Sequence, residues 1–328
     1  MELTYVVNSK KKILLITNEE DPHADIVIKI LGKHVFRINT ERILESFYYS
    51  AYLSSSDSSN IYFKNSLNKK IYLNEIASVY YRRPEKPSTK DLGLNNIQIG
   101  EAWGGLYHLL YALTDIPWMG HPFKDKINSS RILQLTTASN LGFKIPETLI
   151  SRDYDDISRF LKRCDRVAIK PLHERGTTLE GFWTPYFTEV RDAKKILNLN
   201  TETLVNTYNY MQEYINKKRE WRITIVGNKI FPCVIESQKS ERARLDWRKE
   251  DIDSLEHYYE KLPKNIEEKI LKYCKSLDLN FGAMDLIETN NDEWYFLECN
   301  PNGQWLWIEL ITKMKISESI ASWHMSHL

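Results

Sequence analysis

Several large protein classes are excluded by what this sequence lacks. No stretch approaches the ~20 consecutive apolar residues that a membrane-spanning helix requires, so no membrane partner is expected. Cysteine is scarce: Cys164, Cys233, Cys274 and Cys299 are widely spaced in 328 residues and form no C-x-x-C pair. Three of them lie inside or beside apolar segments, where a reduced, buried thiol is the expected state. The apolar run Ile13–Ile16 behind Lys10–Lys12 is too short for a secretory signal and is followed at once by the polar Thr17–Asp21. Together these absences point to the cytoplasm. Net charge is also nearly absent, at +1, so a general nucleic-acid binder is not indicated and any charged ligand must be met by local clusters. There is no internal repeat and no low-complexity tract. No G-x-G-x-x-G follows the first strand, so a dinucleotide fold is not supported.

What is present is ordinary globular composition, 42% hydrophobic and 27% charged, in a chain long enough for two or three compact units. Residues 13–17 read as a strand, 24–31 as a helix and 35–38 as a strand. Residues 61–63 and 71–73 flank a polar turn and read as a hairpin; 78–81 form another strand, stopped by Arg82-Arg83-Pro84. Strands alternating with helices imply an open α/β unit over residues 1–120. A second unit, 121–208, opens with a helix at 128–141 closed by Gly142 and contains a strand at 166–171. The third, 209–328, is strand-rich, with strands at 210–215, 220–226 and 229–236, a helix at 266–277, a hairpin at 281–300 and a final helix near 305–313.

The hairpin is the most informative segment. Side chains alternate along a strand, so Ala283, Asp285 and Ile287 share one face, as do Glu298 and Asn300. A two-residue turn at Asn290-Asn291 would set Asp285 opposite Phe296. Asp285, Glu298 and Asn300 then share a face, with the two acids diagonal and about 7–8 Å apart. Two carboxylates and an amide oxygen so arranged suit magnesium, which takes hard oxygen ligands together with substrate phosphates. The bland alternative is a solvated acidic face, and a one-residue slip of register would scatter the set.

Two further segments point the same way. Lys170 ends the apolar strand Val167-Ala168-Ile169, where its ammonium can reach a phosphate as a compact charge; taken alone it reads as a surface lysine. The loop after it, His173–Thr178, offers hydroxyls, amides and a single glycine, Gly176. Next come Gln212-Glu213-Tyr214-Ile215 and then Arg219-Glu220-Trp221-Arg222. Glu220, Arg222 and Thr224 share a face on which Arg222 can clamp a phosphate or acyl-phosphate oxygen. Read alone, this second segment is an amphipathic edge strand.

Taken in order, a strand lysine, the Gln-Glu-x-Ile linker, an arginine-bearing strand and Asp…Glu-x-Asn resemble the ATP-grasp superfamily. The tail Phe296-Leu297-Glu298-Cys299-Asn300-Pro301-Asn302-Gly303-Gln304-Trp305 narrows the likeness to the microviridin-type ligases that make graspetides. So do Tyr80–Pro84, Asp246-Trp247-Arg248 and the stretch Thr17–Asp25. The resemblance covers essentially the whole chain. It implies an ATP-grasp fold behind an N-terminal pre-ATP-grasp α/β domain, with ATP and Mg²⁺ as cofactors. It also implies a ribosomal precursor peptide, leader plus core, as partner. An Asp or Glu carboxylate of that peptide would be phosphorylated, then attacked by a Ser/Thr hydroxyl or a Lys amine. By the same resemblance Asp285, Glu298 and Asn300 hold magnesium, Lys170 and Arg131 contact phosphates, and residues 212–215 meet adenine through their backbone. Glu220 would lie near the ribose, and Arg222 and Arg248 would stabilise phosphate or acyl-phosphate charge. Arg82 and Arg83 would pair with acidic residues of the substrate or else simply end the strand, and Asp246 would face the substrate. This sequence departs from the family pattern at Arg131, where lysine is frequent, and in the glycine-poor loop after Lys170.

Two competing readings share these residues. One is an amino-acid or peptide ligase adding a small substrate; a short neighbouring reading frame encoding a leader and a Thr/Glu-rich core would argue against it. The other is a non-catalytic nucleotide-binding regulator. Most of Trp103, Trp183, Trp305 and Trp307 are read as core packing in preference to a peptide groove. The sequence leaves the oligomeric state open, with a homodimer among the options.

Overall fold

The structure, a computed structural model, describes residues 11–56, 60–88, 93–173, 176–179 and 182–328, the side chains of 178, 179, 182 and 183 excepted. Strand β1 (Lys12–Thr17) is apolar and almost wholly buried, as a parallel strand covered on both faces must be. Helix α1 (Pro22–Leu31) follows, started by the Asp21 side chain accepting from His23 N and by Pro22 in its first turn. Next are β2 (Val35–Asn39), β3 (Phe47–Tyr52), β4 (Asn60–Asn65), β5 (Lys70–Tyr72) and β6 (Ile76–Tyr81). Helix α2 (Asn96–Tyr111) and β7 (Trp118–Met119) complete this part of the chain. β2-β1-β6-β7 form one parallel sheet. The expected hairpin is β4–β5, paired at Phe63 and Ile71. It is joined by β3, whose half-exposed sequence gives no clear alternation, into a small antiparallel sheet.

The helix read at 128–141 is α4 (Arg131–Asn140), capped by Ser130, and a separate short helix, α3 (Pro122–Asn128), precedes it. Then follow β8 (Thr148–Ser151), α5 (Tyr154–Leu161), β9 (Arg166–Lys170), and the ribbon of β10 (Gly176–Leu179) with β11 (Phe182–Pro185). β12 (Glu189–Asp192), α6 (Ala193–Leu197), α7 (Thr201–Val205) and β13 (Asn209–Glu213) complete an antiparallel sheet ordered β12-β9-β13-β8. Ile157, Phe160, Val167, Ile196 and Met211 pack one face of that sheet against α5–α7. By alternation Ala168, Lys170, Tyr210 and Gln212 lie on the other face.

The last sheet is ordered β16-β15-β14-β17-β18, built from β14 (Arg219–Val226), β15 (Lys229–Ile235), β16 (His257–Tyr259), β17 (Phe281–Glu288) and β18 (Trp294–Asn300). Helix α8 (Lys264–Ser276) precedes β17. With α4 it covers the face bearing Trp221, Ile223, Met284, Leu286, Phe296 and Cys299. Helices α9 (Leu306–Thr312) and α10 (Ile316–Met325) close the chain. Trp305, Ile308, Ile316 and Ile320 join Ile13, Leu15 and Val27 to Val226, Cys233 and Phe281 in one cluster. The parallel sheet and the last sheet are therefore packed into a common core. Among the described residues no helix is long and apolar enough to cross a membrane.

Candidate active site

The face of the last sheet that α8 does not cover carries Glu220, Arg222 and Thr224 on β14 and Ala283, Asp285 and Ile287 on β17, paired directly. The hairpin reaches the expected facing by an unexpected route. Its loop has three residues: Thr289 N–H donates to Glu293 O at 2.9 Å, and Asp292 adopts φ 56°, the left-handed residue such loops end on. That shifts register by one, and an irregularity between Asp285 and Leu286 shifts it again. One shift alone would have flipped the set; two restore it. Asp285 therefore lies directly opposite Glu298 and not diagonal to it, and Ala283 pairs with Asn300. Phe296, expected beside Asp285, pairs with Leu286 and is buried in the core.

Each acid is matched by an arginine. Arg222 Nη1 donates to both oxygens of Asp285 at 2.8 Å. Arg131, the first residue of α4, is 2.6 Å from Glu298 Oε2. Burial pushes the Asp285 carboxyl above the usual carboxylate range against the pull of Arg222. Burial acts on Glu298 too, but Arg131, Lys170, Arg222 and Arg248 together outweigh it and hold that carboxyl below its ordinary value. Asn300 Oδ1 accepts from Asn302 N–H at 3.0 Å. Three hard-oxygen side chains on one face, two of them ionised, fit a magnesium ion.

Lys170 approaches from the central sheet. Its ammonium donates to Gln212 Oε1 at 2.7 Å, and Gln212 Nε2 donates in turn to Thr148 Oγ1 at 3.0 Å. Burial, assisted by the charge of Arg131, outweighs the pull of Glu298 and leaves the Lys170 pKa lowered to about 8. The linker is not a uniform adenine edge. Gln212 is a buried strand residue, while Glu213 N–H donates to Glu147 O and Tyr214 N–H to Arg166 O, so neither amide is a donor for a base. Ile215 follows beyond the strand.

Glu220 is buried and accepts from Lys217 Nζ at 2.7 Å. Lys217 went unread in the sequence because a Lys-Lys-Arg run looks like solvated charge. Arg248, on a 3₁₀ turn at Trp247–Lys249, is clamped by Asp246 through Nε at 2.8 Å and Nη2 at 2.5 Å. Asp246 also accepts from Thr188 N–H at 2.9 Å. Burial would raise its carboxyl, but Arg248 and these amides hold it down at about 2. Asp246 is therefore a support for Arg248, not a free substrate contact. Arg82 needs the larger correction: it is 2% exposed and donates into the 302–303 turn, so no substrate can reach it. Arg83 is exposed. Glu174, Arg175 and the side chains of Thr178 and Trp183 lie outside the described residues; Trp305 is fully buried, in line with core packing. A cavity of about 370 Å³ between Trp118, His121, Asp125 and Asn280 is separate from this face and includes none of its oxygen ligands.

Residues 134–291 match the family model described as the prokaryotic glutathione synthetase ATP-grasp domain, a span that includes Asp285 and stops before Glu298. A RiPP-associated ATP-grasp ligase of Chryseobacterium gregarium, solved with ADP and a leader and core peptide, is 29% identical over 97% of each chain with a TM-score of 0.86. The macrocyclase MdnC of Microcystis aeruginosa, solved with its precursor peptide MdnA, is also 29% identical, over 95% of this chain and 98% of that one, at 0.80. MdnB of the same organism, 23% identical over 96% and 99%, shares the fold at 0.74. No curated protein matches by sequence.

Proposed function

We propose that this chain, an ATP-grasp ligase by its fold and by its whole-length likeness to RiPP-associated ligases, cyclises a ribosomal precursor peptide. An Asp or Glu side-chain carboxylate would take the terminal phosphoryl group of ATP, leaving ADP. A Ser/Thr hydroxyl or Lys amine of the same peptide would then attack the acyl carbon, expelling phosphate and closing an ester or amide. The observation that carries this is the single sheet face bearing Arg222, Asp285, Glu298 and Asn300 with Lys170 and Arg248 brought to it. Phosphoryl transfer needs charge neutralisation and positioning more than covalent help.

Asp285, Glu298 and Asn300 would hold Mg²⁺, which when bound neutralises phosphate charge. Arg131 would exchange Glu298 for a phosphate oxygen, since an ion on that carboxylate removes its present partner. Lys170, held by Gln212, would meet a second phosphate oxygen, and Glu220, held by Lys217, the ribose. Arg222 and Arg248, the latter oriented by Asp246, would face the charge that develops on the acyl phosphate. Arg83 remains the one substrate arginine of the pair at 82–83. We place the unit borders at 120 and 208 and the enzyme in the cytoplasm.

The test is ADP formation with and without a candidate precursor, followed by mass spectrometry of the peptide. Peptide-stimulated ADP and the loss of one water per ring are expected. ADP stimulated only by free amino acids would favour a small-substrate ligase, and no stimulated ADP at all a regulator.

A further inference from the structure

The seam between the parallel sheet and the last sheet holds a guanidinium that the reaction does not touch. Arg82 directly follows β6, and its Nη1 donates to three acceptors of one turn: Asn302 Oδ1 at 2.7 Å, Gly303 O at 2.9 Å and Asn302 O at 3.2 Å. Asn302 Nδ2 donates back to Arg82 O. The counter-charge is Asp21, wholly buried and 4.0 Å from Arg82 Nε, itself fixed by Thr17 Oγ1 at 2.6 Å and capping α1. Such a guanidinium is a costly way to fill space, because the charge is desolvated. Its Nε and Nη2 have no hydrogen-bond partner among the described groups. An apolar side chain would serve packing better, so what Arg82 supplies is geometry.

That geometry leads to the site in two ways. Asn302 N–H donates to Asn300 Oδ1 at 3.0 Å, and Gly303 N–H to Asn300 O at 3.3 Å. Gly303 also lies so close to the face that a Cβ there would be 2.3 Å from Ala283 Cβ and 3.2 Å from Arg222 Nη2. The turn is thus both the hinge of the Asn300 amide and the wall beside Arg222.

We propose that Arg82 is a positioning residue: by gripping Asn302 and Gly303 from the N-terminal sheet, it sets the Asn300 carboxamide and the Arg222 guanidinium for the metal–phosphate face. The inference rests on the metal reading above and extends it to a residue that touches no ligand but bonds the turn two and three residues past Asn300. Outer contacts of this kind typically change metal affinity or activity by roughly 10–100-fold when lost.

The test uses Arg82→Lys, which keeps a charge but not the fork, together with Asn302→Ala, which breaks the same bond from the other side, and the double variant. Calorimetric Mn²⁺ binding to the full-length protein with ADP, and amide exchange, are the readouts. Each single change should weaken Mn²⁺ binding by roughly 10–100-fold. Exchange should quicken at residues 302–304 while 76–81 stay protected, and the double variant should be no worse than the poorer single one. If Arg82→Lys fails to fold, Asn302→Ala carries the test alone. Unchanged Mn²⁺ affinity in the folded variants overturns the positioning role whatever exchange does. Absence of Mn²⁺ binding by the wild-type protein is a different result: it overturns the metal reading and this inference with it.

Discussion

The two antiparallel sheets that supply the site solve different problems. In the β16-β15-β14-β17-β18 sheet, β14 and β17 are nearly buried throughout, and each ligand acid is braced by an arginine, Asp285 by Arg222 and Glu298 by Arg131. The β12-β9-β13-β8 sheet is thinner: β12 is mostly exposed, β8 half-buried, and the cation it brings to the site, Lys170, hangs from the end of β9 on a neutral partner, Gln212. A carboxylate set that must present fixed oxygens to an ion is built where register and packing over-determine it. A cation that must answer a phosphate is held by a single neutral hydrogen bond, which it can release at little cost.

Removing the acids should break this contrast most severely. Asp285→Asn and Glu298→Gln should each lower ADP formation by at least roughly 10²–10³-fold, the scale of losing a preorganised charged group. Both should keep a native circular dichroism spectrum, with the Asp285 change costing about 3 kcal/mol in a denaturant titration because Arg222 loses its partner. Wild-type-like turnover would remove these residues from the site. Arg222→Lys should follow, with a loss of roughly 10–100-fold in kcat/KM, because one ammonium cannot reproduce the planar guanidinium; an unchanged rate places Arg222 outside the chemistry.

Gly303→Ala tests the wall of the last sheet. Its new Cβ collides with Ala283, so a stability loss of about 1–3 kcal/mol is expected, read in the same titration; a neutral result would mean that the turn is loose. The mildest effect belongs to the central sheet. Lys170 titrates near 8, below the ordinary lysine value. Because its folded pKa is depressed, the nucleotide-free protein gains stability from this group as pH rises from 8 towards 10.5. A phosphate partner needs the charged form, so ATP affinity should fall as pH rises through about 8. Lys170→Arg should flatten that fall, and an identical profile in the variant would take Lys170 off the phosphates.

Much of this architecture was legible along the chain because it is local. The parity of Asp285, Glu298 and Asn300 follows from alternation, and their common face survived since the two register shifts cancel. The shifts themselves were not legible: the loop has two asparagines where a two-residue turn is favoured, yet Asp292 takes the left-handed position, and nothing in Phe296-Leu297-Glu298 announces an irregularity. Arg82 and Asp246 were misread for a different reason. A charged residue in a strand-ending Arg-Arg-Pro run, or beside a tryptophan, looks like a surface feature. Only the approach of residues 302–303, more than two hundred positions away, buries the first, and only Thr188 and Arg248 close over the second. Long-range contacts of that sort leave no local periodicity to read.

The most direct test of the central claim is a crystal of the full-length protein with ADP and Mn²⁺, with the ion located by its anomalous scattering. A peak is expected about 2.0–2.3 Å from oxygens of Asp285, Glu298 and Asn300, the range of Mg²⁺-type coordination with a slightly larger ion. A peak elsewhere on the molecule, or ADP bound with no ion near those oxygens, would contradict it.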